Sequence, residues 1–474
     1  MITNINKLIT YANDNNILNP RDNAYIYNQL CYFLDITPSK SFETCQYTGH
    51  IDDLLELMVK DKHFKSDTLK ELYKTKIIDI IIPFPSTIED KFYKEFAVNS
   101  KSATDYFFQH SKLVNYIKEK QISKNISYKV NSKYGEIDIT INLSKPEKTL
   151  EEIKLAKEQK KSDWPSCFLC KEQEGLYGSI LNPDRSNHRL IELMLNNKKW
   201  YFQYSPYSYF NEHSILLSDE HKDMIINEQT FSNLLEFVDM FPHYMIGSNA
   251  DIPIVGGSML THDHYQCGNY DFPLFRANSV LEKTIDTVDI YSVKWPLHTV
   301  KLVSSDKVQI LEQSTKILDK WQSYEDKEHN IIAHTSAKHN TITPIVRFNN
   351  NKYEMYLILR NNLTNEDNKF GLFHIDPKRF NIKQENIGLI EAIGLAVLPS
   401  RLEDEFNTLL RVDVLPEELK KHKELFDHIK NIKVNKKEEL YKLVGNIFVE
   451  CLEDCGVFKY NTDKYIEFIR SIND

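Results

Sequence analysis

The chain has 474 residues, of which 41% are hydrophobic and 27% charged, with a net charge of −9 and a pI near 6.0. This composition is typical of a globular protein with two or three hydrophobic cores, and it excludes a disordered chain. It also lacks the excess of basic residues that non-specific nucleic-acid binding requires, so no nucleic-acid partner is expected.

The N-terminal and middle segments predict helices followed by mixed structure. Residues 1–130 carry mainly helical patterns, as in IDDLLELMVKDKHF and SKSATDYFFQHSKLVNYIKEK. The three alternating isoleucines of YGEIDITINL predict a half-buried strand. A capping-box pattern at Thr149 and Glu152 then predicts a charged connector helix, and we place a domain boundary between residues 148 and 149.

The remaining patterns predict both strands and helices. Residues 198–218 are aromatic and β-rich, TFSNLLEFVDMF is helical, and residues 339–362 predict a hairpin that turns at NNN. From about residue 415 the pattern is helical and charged.

Three features predict the cellular setting. The N-terminal stretch has no apolar signal core, and no apolar run reaches the roughly 18 residues that a membrane span needs. The seven cysteines are few and odd in number, which is typical of reduced thiols. The sequence therefore predicts a cytoplasmic protein with no membrane partner.

The stretch MLTHDHYQCGNY concentrates polar chemistry, because His262, His264 and Gln266 occupy every second position. In a strand, alternate residues share one face, so the three side chains would project together. Such a face suits metal binding. It also suits phosphorus chemistry, in which a neutral imidazole attacks phosphorus and an amide donates to a non-bridging oxygen. We favour these functions over a chance cluster on an exposed strand.

Cys167 and Cys170 form a C-x-x-C pattern, which fits half of a zinc site, a redox pair or two buried thiols. No second C-x-x-C occurs, so a four-cysteine site is excluded. A zinc site would need two histidines from elsewhere, with His221 and His262 as candidates and His213 as a spare.

Two turns offer candidate phosphate contacts. NPDRSNHRLIEL carries Arg185 and Arg189, whose guanidinium groups suit phosphate oxygens, although a solvated basic turn is the simpler interpretation. GSNADIPIVGGSM brings Asn249, Gly257 and Ser258 before the histidines, and glycine permits close approach of a phosphate.

The HDHYQ motif resembles the active-site strand of the galactose-1-phosphate uridylyltransferases, a branch of the histidine triad superfamily, in their second bacterial form. The resemblance extends over nearly the whole chain, including NPRDNAYIYNQL, DIIIPFPS, CFLCKEQEG, FGLFHIDPKR, ENIGLIEAIGLAVLPSRL and LEDCGVFK. It implies an α+β fold of two histidine-triad-like halves on antiparallel sheet, 149–272 and 273–474, with a mainly helical extension, 1–148. Only the first half is expected to carry the nucleophile.

The resemblance further implies a two-step transfer of UMP from UDP-glucose to galactose-1-phosphate. His264 would attack the α-phosphorus and hold the uridylyl group, while Gln266 would hydrogen-bond a non-bridging oxygen. One imidazole nitrogen must be free to attack, so the other is expected to donate its N–H to a carbonyl. No organic cofactor is implied.

The same resemblance assigns a structural zinc, substrate contacts and a homodimer. The implied zinc ligands are Cys167, Cys170, His221 and His262. The implied substrate contacts are Asn249, Gly257, Ser258, Arg185 and Arg189. A homodimer is implied because active sites of this superfamily lie near a subunit contact.

Two other functions remain open at this point. A dinucleoside polyphosphate phosphorylase or nucleotide hydrolase of the same superfamily would use His264 with phosphate or water as the acceptor. A non-enzymatic zinc-binding protein would use only the cysteines and histidines of the metal set, and would leave His264 and Gln266 without a role.

Overall fold

The computed structural model describes residues 1–38, 41–144, 164–257, 259–434 and 436–472. Ser258, the connector helix predicted after Thr149 and the boundary predicted at 148/149 lie outside these ranges. Across the described ranges, no helix combines the length and the apolar character that crossing a bilayer would demand.

The N-terminal part is mainly helical, as its apolar periodicity predicts. Its helices are α1 (Ile2–Asp14), α2 (Asn23–Phe33), α3 (Ile51–Val59), α4 (Asp67–Asp79), α5 (Pro85–Phe96), α6 (Ser100–Leu113) and α7 (Glu119–Ile122). Polar side chains cap three of them. His50 accepts the Asp52 N–H at the start of α3, Ser66 accepts the Leu69 N–H at the start of α4, and Asn99 accepts the Ser102 N–H at the start of α6.

The strands and the remaining helices follow in the order expected of an α+β chain. The strands are β1 (Ile126–Ser132), β2 (Gly135–Asn142), β3 (Ile191–Leu195), β4 (Lys198–Tyr204), β5 (Ser214–Ser218), β6 (Met245–Gly247), β7 (His264–Gly268), β8 (Ser279–Ile285), β9 (Val288–Val293), β10 (Thr299–Ser304), β11 (Asn340–Asn349), β12 (Lys352–Asn361) and β13 (Leu395–Pro399). The further helices are α8 (Glu228–Met240), α9 (Pro273–Arg276), α10 (Lys307–Ser323), α11 (Leu389–Ala392), α12 (Arg401–Arg411), α13 (Lys423–Asn431), α14 (Lys437–Asp454) and α15 (Thr462–Arg470).

One large antiparallel sheet contains both halves of the chain, in the order β3-β4-β5-β7-β6-β11-β12-β10-β9-β8. Within the described residues, each half contributes five strands, and both halves arrange them in the same way. From its outer edge to the centre of the sheet, the first half runs β3, β4, β5, β7, β6 and the second half runs β8, β9, β10, β12, β11, so in each half the fifth strand in chain order lies between the third and the fourth. The halves meet where the two fourth strands, β6 and β11, pair with Ile246 opposite Val346. A helix joins the third strand to the fourth in each half, α8 in the first and α10 in the second. The predicted α+β fold, with two halves on antiparallel sheet, is confirmed.

A smaller sheet ties the N-terminal extension to the second half, because β2 pairs antiparallel with β1 and parallel with β13. The prediction of a half-buried strand here is wrong, since Asp138, Thr140 and Asn142 are buried together with the isoleucines. β2 is the central strand of this sheet, and both α9 and α14 pack against it. One oxygen of the Asp138 carboxylate, Oδ2, accepts a hydrogen bond there from the Tyr270 hydroxyl at 2.8 Å.

The hairpin predicted over 339–362 is confirmed, because β11 and β12 pair along their full length with Asn349 opposite Lys352. Asn350 and Asn351 form the turn with φ of 50° and 59°. Asparagine tolerates this left-handed backbone better than most residues, which explains the NNN sequence.

Candidate active site

β7 places His264 and Gln266 on one face of the large sheet, where both line a cavity of about 880 Å³. Tyr265 points away from the cavity and stacks on Trp200 with ring centroids 4.8 Å apart. The prediction that the whole motif lies within one strand is wrong in one respect. β7 begins at His264, so His262 lies just before the strand and faces a different set of partners.

The His264 imidazole is oriented by the backbone of its own motif. Its Nδ1 lies 2.8 Å from the carbonyl oxygen of His262. A carbonyl can only accept, so Nδ1 carries the proton and Nε2 carries the lone pair. Burial lowers the pKa of His264, which keeps the ring neutral near pH 7. The lone pair required for attack on phosphorus is therefore available in a cavity-lining side chain.

The four predicted metal ligands lie together. The Sγ atoms of Cys167 and Cys170 are 3.5 Å apart, and Cys167 Sγ lies 3.2 Å from His262 Nδ1. Cys170 Sγ lies 3.4 Å from His221 Nδ1, and all four ligand atoms fall within 4.8 Å of one another. The loop of Cys167 and Cys170 is thereby joined to the end of β5 and the start of β7.

The donor set of this cluster fits zinc. With Zn–S near 2.3 Å and Zn–N near 2.0 Å, tetrahedral coordination puts neighbouring ligand atoms about 3.3–3.8 Å apart, close to the observed spacings. The Nε2 of His262 lies 2.9 Å from the Ser218 carbonyl, which is the outer hydrogen bond typical of a metal-bound imidazole. His213, the spare candidate, is absent from the cluster and contacts Gln266 instead.

Among the residues that the structure describes, four side-chain amides border the cavity, and two of them, Asn249 and Gln266, were predicted from the sequence. The oxygen of each of these two is already engaged. Asn249 Oδ1 accepts the backbone N–H of Leu389 at 2.8 Å. Gln266 Oε1 lies 3.2 Å from His213 Nε2. Each side chain thus retains its NH₂ group, a neutral hydrogen-bond donor suited to a non-bridging phosphate oxygen.

Of the other predicted substrate contacts, Gly257 and Arg185 line the cavity and Arg189 does not. Gly257 lines the cavity, and a Cβ there would lie only 2.7 Å from Asn249 Nδ2. Arg185 also lines it and donates from Nη1 to the Tyr116 hydroxyl at 2.6 Å.

Arg189 is not brought to the cavity. Its guanidinium donates to the carbonyls of Pro83, Ser186 and His188, so the buried side chain braces the turn rather than facing a substrate. Its proposed contact with substrate therefore has no geometric support.

Sequence reasoning missed the opposite wall of the cavity, which the second half supplies. Lys383 is buried there, with Nζ 3.0 Å from Glu391 and 3.3 Å from Glu385. Burial opposes its charge, but the two carboxylates outweigh that effect and raise the pKa of the ammonium group. All three residues line the cavity. No local pattern signals them, because they meet β7 only through the pairing of the two halves.

Comparisons with known proteins cover both halves. The chain matches the family model "Galactose-1-phosphate uridyl transferase, N-terminal domain" over residues 33–223. It matches the corresponding C-terminal domain over residues 236–426.

Relatives named "Galactose-1-phosphate uridylyltransferase" align along nearly their whole length. The protein from Clostridium perfringens strain SM101 is 41% identical over 488 residues, covering 99% of this chain and 98% of the relative. Those from Clostridium acetobutylicum (99% of both chains) and Lactococcus lactis subsp. cremoris strain SK11 (98% of both) are also 41% identical. Among solved structures, yeast Ap4A phosphorylase Apa2 in complex with Ap4A aligns over 72% of this chain and 96% of its own, at 12% identity and a TM-score of 0.36. That likeness is too low to assign a function.

Proposed function

The chain belongs to the galactose-1-phosphate uridylyltransferase family, and we propose that it transfers the uridylyl group in two steps through His264. As a nucleotidyltransferase of galactose metabolism, it moves UMP from UDP-glucose to galactose-1-phosphate, giving glucose-1-phosphate and UDP-galactose. The observation that carries the two-step mechanism is the orientation of the His264 ring. The ring lines the cavity, and its Nδ1 is hydrogen-bonded to the carbonyl oxygen of His262.

In the first step, the Nε2 lone pair of His264 attacks the α-phosphorus of UDP-glucose. A P–N bond forms, the P–O bond to the β-phosphate breaks, and glucose-1-phosphate leaves with that electron pair. The Nδ1 proton stays in place, hydrogen-bonded to the His262 carbonyl, which stabilises the positive charge that the ring acquires.

In the second step, a phosphate oxygen of galactose-1-phosphate attacks the uridylyl phosphorus. The P–N bond breaks, its electrons return to Nε2, and UDP-galactose leaves. The neutral imidazole is restored without net proton transfer. A single nucleotide-binding site therefore serves both sugar phosphates in turn.

Donors around the cavity suit the charge that develops on phosphorus oxygens. The NH₂ groups of Gln266 and Asn249 are neutral donors, and Lys383 and Arg185 add positive charge at the cavity wall. Glu385 and Glu391 also line the cavity and balance these two cations, so the lining does not add to the repulsion that a chain of net charge −9 exerts on phosphates. Gly257 leaves room for close approach of a phosphate to Asn249.

We further propose that the cysteine–histidine cluster holds a structural zinc. All four coordination positions would be filled by protein side chains, so the metal would supply rigidity and no direct chemistry. His262 is the link, because its side chain belongs to the cluster and its carbonyl orients His264. A cytoplasmic homodimer remains part of the proposal through the family resemblance.

The competing functions have less support. A phosphorylase or hydrolase of the superfamily would use the same His264, but relatives 41% identical over 98–99% of the chain are named as uridylyltransferases. A purely zinc-binding role leaves unexplained why His264, Gln266 and Asn249 converge on one cavity.

Intact-protein mass spectrometry after mixing with UDP-glucose alone tests this mechanism. We expect a mass gain of one uridylyl group in the wild-type protein and in His63→Ala, which removes an exposed histidine far along the chain from β7. His264→Ala should gain no mass while retaining its fold and zinc. A wild-type protein that turns over UDP-glucose and galactose-1-phosphate without ever carrying the adduct would refute the two-step mechanism.

A further inference from the structure

The orientation of the Gln266 amide is set by a histidine that the mechanism above does not use. The backbone N–H of Tyr209 donates to Nδ1 of His213 at 3.4 Å. A backbone N–H can only donate, so Nδ1 must carry the lone pair and the proton of the neutral ring must be on Nε2. His213 Nε2 lies 3.2 Å from Gln266 Oε1 and therefore donates to it.

This hydrogen bond selects one of the two orientations that the terminal amide of Gln266 could adopt. Gln266 lines the cavity, and with Oε1 turned toward His213 its NH₂ group makes no hydrogen bond to another described residue. We propose that His213 is a positioning residue that holds the Gln266 amide with its nitrogen toward the transferring phosphorus. The inference rests on the role proposed above for Gln266.

The need for such a residue follows from the symmetry of an amide. A glutamine without a fixed partner can rotate its terminal group by half a turn at little cost. The rotated amide would present its oxygen to a phosphate oxygen and repel it. A donor at Oε1 disfavours that rotamer before the substrate arrives, so the hydrogen bond to phosphate requires no rearrangement.

The His213 ring is itself held firmly. It is 3% exposed and stacks near Tyr209 and Phe210, with centroid distances of 5.4 Å and 4.5 Å. Burial lowers the pKa of His213 to about 4, so the ring is neutral and carries a single proton. Both of its nitrogens are engaged within the protein, so it acts through Gln266.

The residue before His213 anchors this part of the chain. Glu212 has a left-handed backbone with φ of 54°, which costs a non-glycine residue about 1 kcal/mol or more. Its buried carboxylate accepts hydrogen bonds from the Tyr244 hydroxyl at 2.6 Å and from Asn211 at 3.0 Å. These contacts hold the unfavourable backbone in place and direct His213 toward β7.

Two substitutions of His213 distinguish the loss of its hydrogen bond to Gln266 from the loss of the ring itself. In His213→Gln, the longer amide can still reach Tyr209 N–H with its oxygen and Gln266 with its nitrogen. In His213→Asn, the shorter amide keeps an acceptor near the Nδ1 position but cannot reach Gln266. We expect His213→Asn to slow uridylylation by UDP-glucose about 10- to 100-fold, mainly in the rate constant rather than in the half-saturating concentration. We expect His213→Gln to recover most of the rate.

A double-mutant cycle decides whether the effect passes through Gln266. In a Gln266→Ala background, His213→Asn should cause no further loss, because the amide it orients is gone. An equal loss in both backgrounds, or a wild-type rate for His213→Asn, overturns the inference. If Gln266→Ala itself reacts at the wild-type rate, or wild-type protein forms no adduct, the proposed role of Gln266 fails and the inference fails with it.

One measurement needs no substitution that might disturb folding. The ¹⁵N chemical shifts of the His213 ring in the wild-type protein should identify the Nε2-protonated tautomer. A proton on Nδ1 would overturn the inference directly, whatever the activity of the variants.

Discussion

At the scale of single residues, the site depends on hydrogen bonds that select one tautomer of a histidine and one orientation of an amide. The His262 carbonyl fixes which nitrogen of His264 is free, and the Leu389 N–H fixes which end of Asn249 faces the cavity. The sequence could predict the first of these, because His262 and His264 are two residues apart. It could not predict the second, because Asn249 and Leu389 are 140 residues apart.

The amide nitrogen of Asn249 gives a sharp test of the phosphate-donor assignment. Asn249→Asp keeps an oxygen to accept the Leu389 N–H but replaces the NH₂ donor with a negative oxygen facing the phosphate. We expect kcat/KM to fall about 100-fold or more, since one donor is lost and a repulsion is added. Steady-state kinetics and thermal unfolding of the same preparation provide the measurement. An unchanged kcat/KM at unchanged stability would remove Asn249 from the substrate contacts.

Two arginines four positions apart show that residue type alone does not predict which side chain reaches the cavity. Arg185 and Arg189 look equivalent in NPDRSNHRLIEL, yet only Arg185 lines the cavity. Arg189 meets three backbone carbonyls and lies 3.7 Å from Asp79. These partners come from a loop and a helix in the N-terminal extension as well as from its own turn, so composition alone could not separate the two.

At the scale of elements, periodicity predicts a strand or helix better than it predicts burial. The pattern of YGEIDITINL correctly indicates β2, but its polar residues are buried because β13, far along the chain, completes the sheet. The HDHYQ spacing correctly indicates a shared face for His264 and Gln266. It does not reveal that the strand starts at His264, with His262 facing the cysteines.

The cysteine–histidine cluster connects the end of β5 to the start of β7, so removing the proposed zinc should affect both stability and chemistry. Chelation or Cys170→Ser should lower the melting temperature and slow uridylylation at least about tenfold, because the carbonyl that orients His264 belongs to His262, a proposed zinc ligand. Added Zn²⁺ should restore both properties after chelation. Metal analysis, thermal unfolding and adduct formation are measured together.

Cys45→Ser is the matched control for the metal experiment. Cys45 lies outside the cluster, in the N-terminal extension, where its backbone N–H donates to Thr10. This variant should keep full zinc content and wild-type rates. Full adduct formation by zinc-free protein would show that the cluster has no bearing on His264.

The β11–β12 turn offers a test of element stability away from the cavity. Asn351 has a φ of 59°, so Asn351→Val should destabilise the protein by about 1–2 kcal/mol, whereas Asn351→Gly should change stability little. Both variants should retain wild-type kcat, because the turn does not line the cavity. Urea unfolding gives the free energies, and equal values for the two variants would contradict this account of the turn.

At the scale of the whole molecule, the two halves form one continuous sheet. The β6–β11 pairing joins them, and one hydrophobic core contains residues from the N-terminal helices and from both halves. The family resemblance predicted two halves on antiparallel sheet. Local pattern could not predict their identical strand order, because no sequence repeat accompanies it and strand order depends on pairings far apart in the chain.

Continuity of the sheet predicts a single cooperative transition. In Trp200→Phe, fluorescence of the remaining buried tryptophans, Trp295 and Trp321, reports on the second half. Release of the proposed zinc reports on the first half. We expect the two signals to change at the same urea concentration, because neither half can unfold without exposing the edge of the other. Two separated midpoints would indicate halves that are stable independently.

The shared strand order of the halves has a consequence for how this enzyme can change over time. β12 occupies in the second half the place that β7 occupies in the first, yet its sequence KYEMYLILRN contains no histidine. One copy of the unit therefore holds His264, the proposed nucleophile, and the other contributes Lys383 and Glu391 to the wall of the same cavity. If His264 is the nucleophile as proposed, substitutions in the second half can change the cavity wall while the strand that carries the nucleophile stays the same.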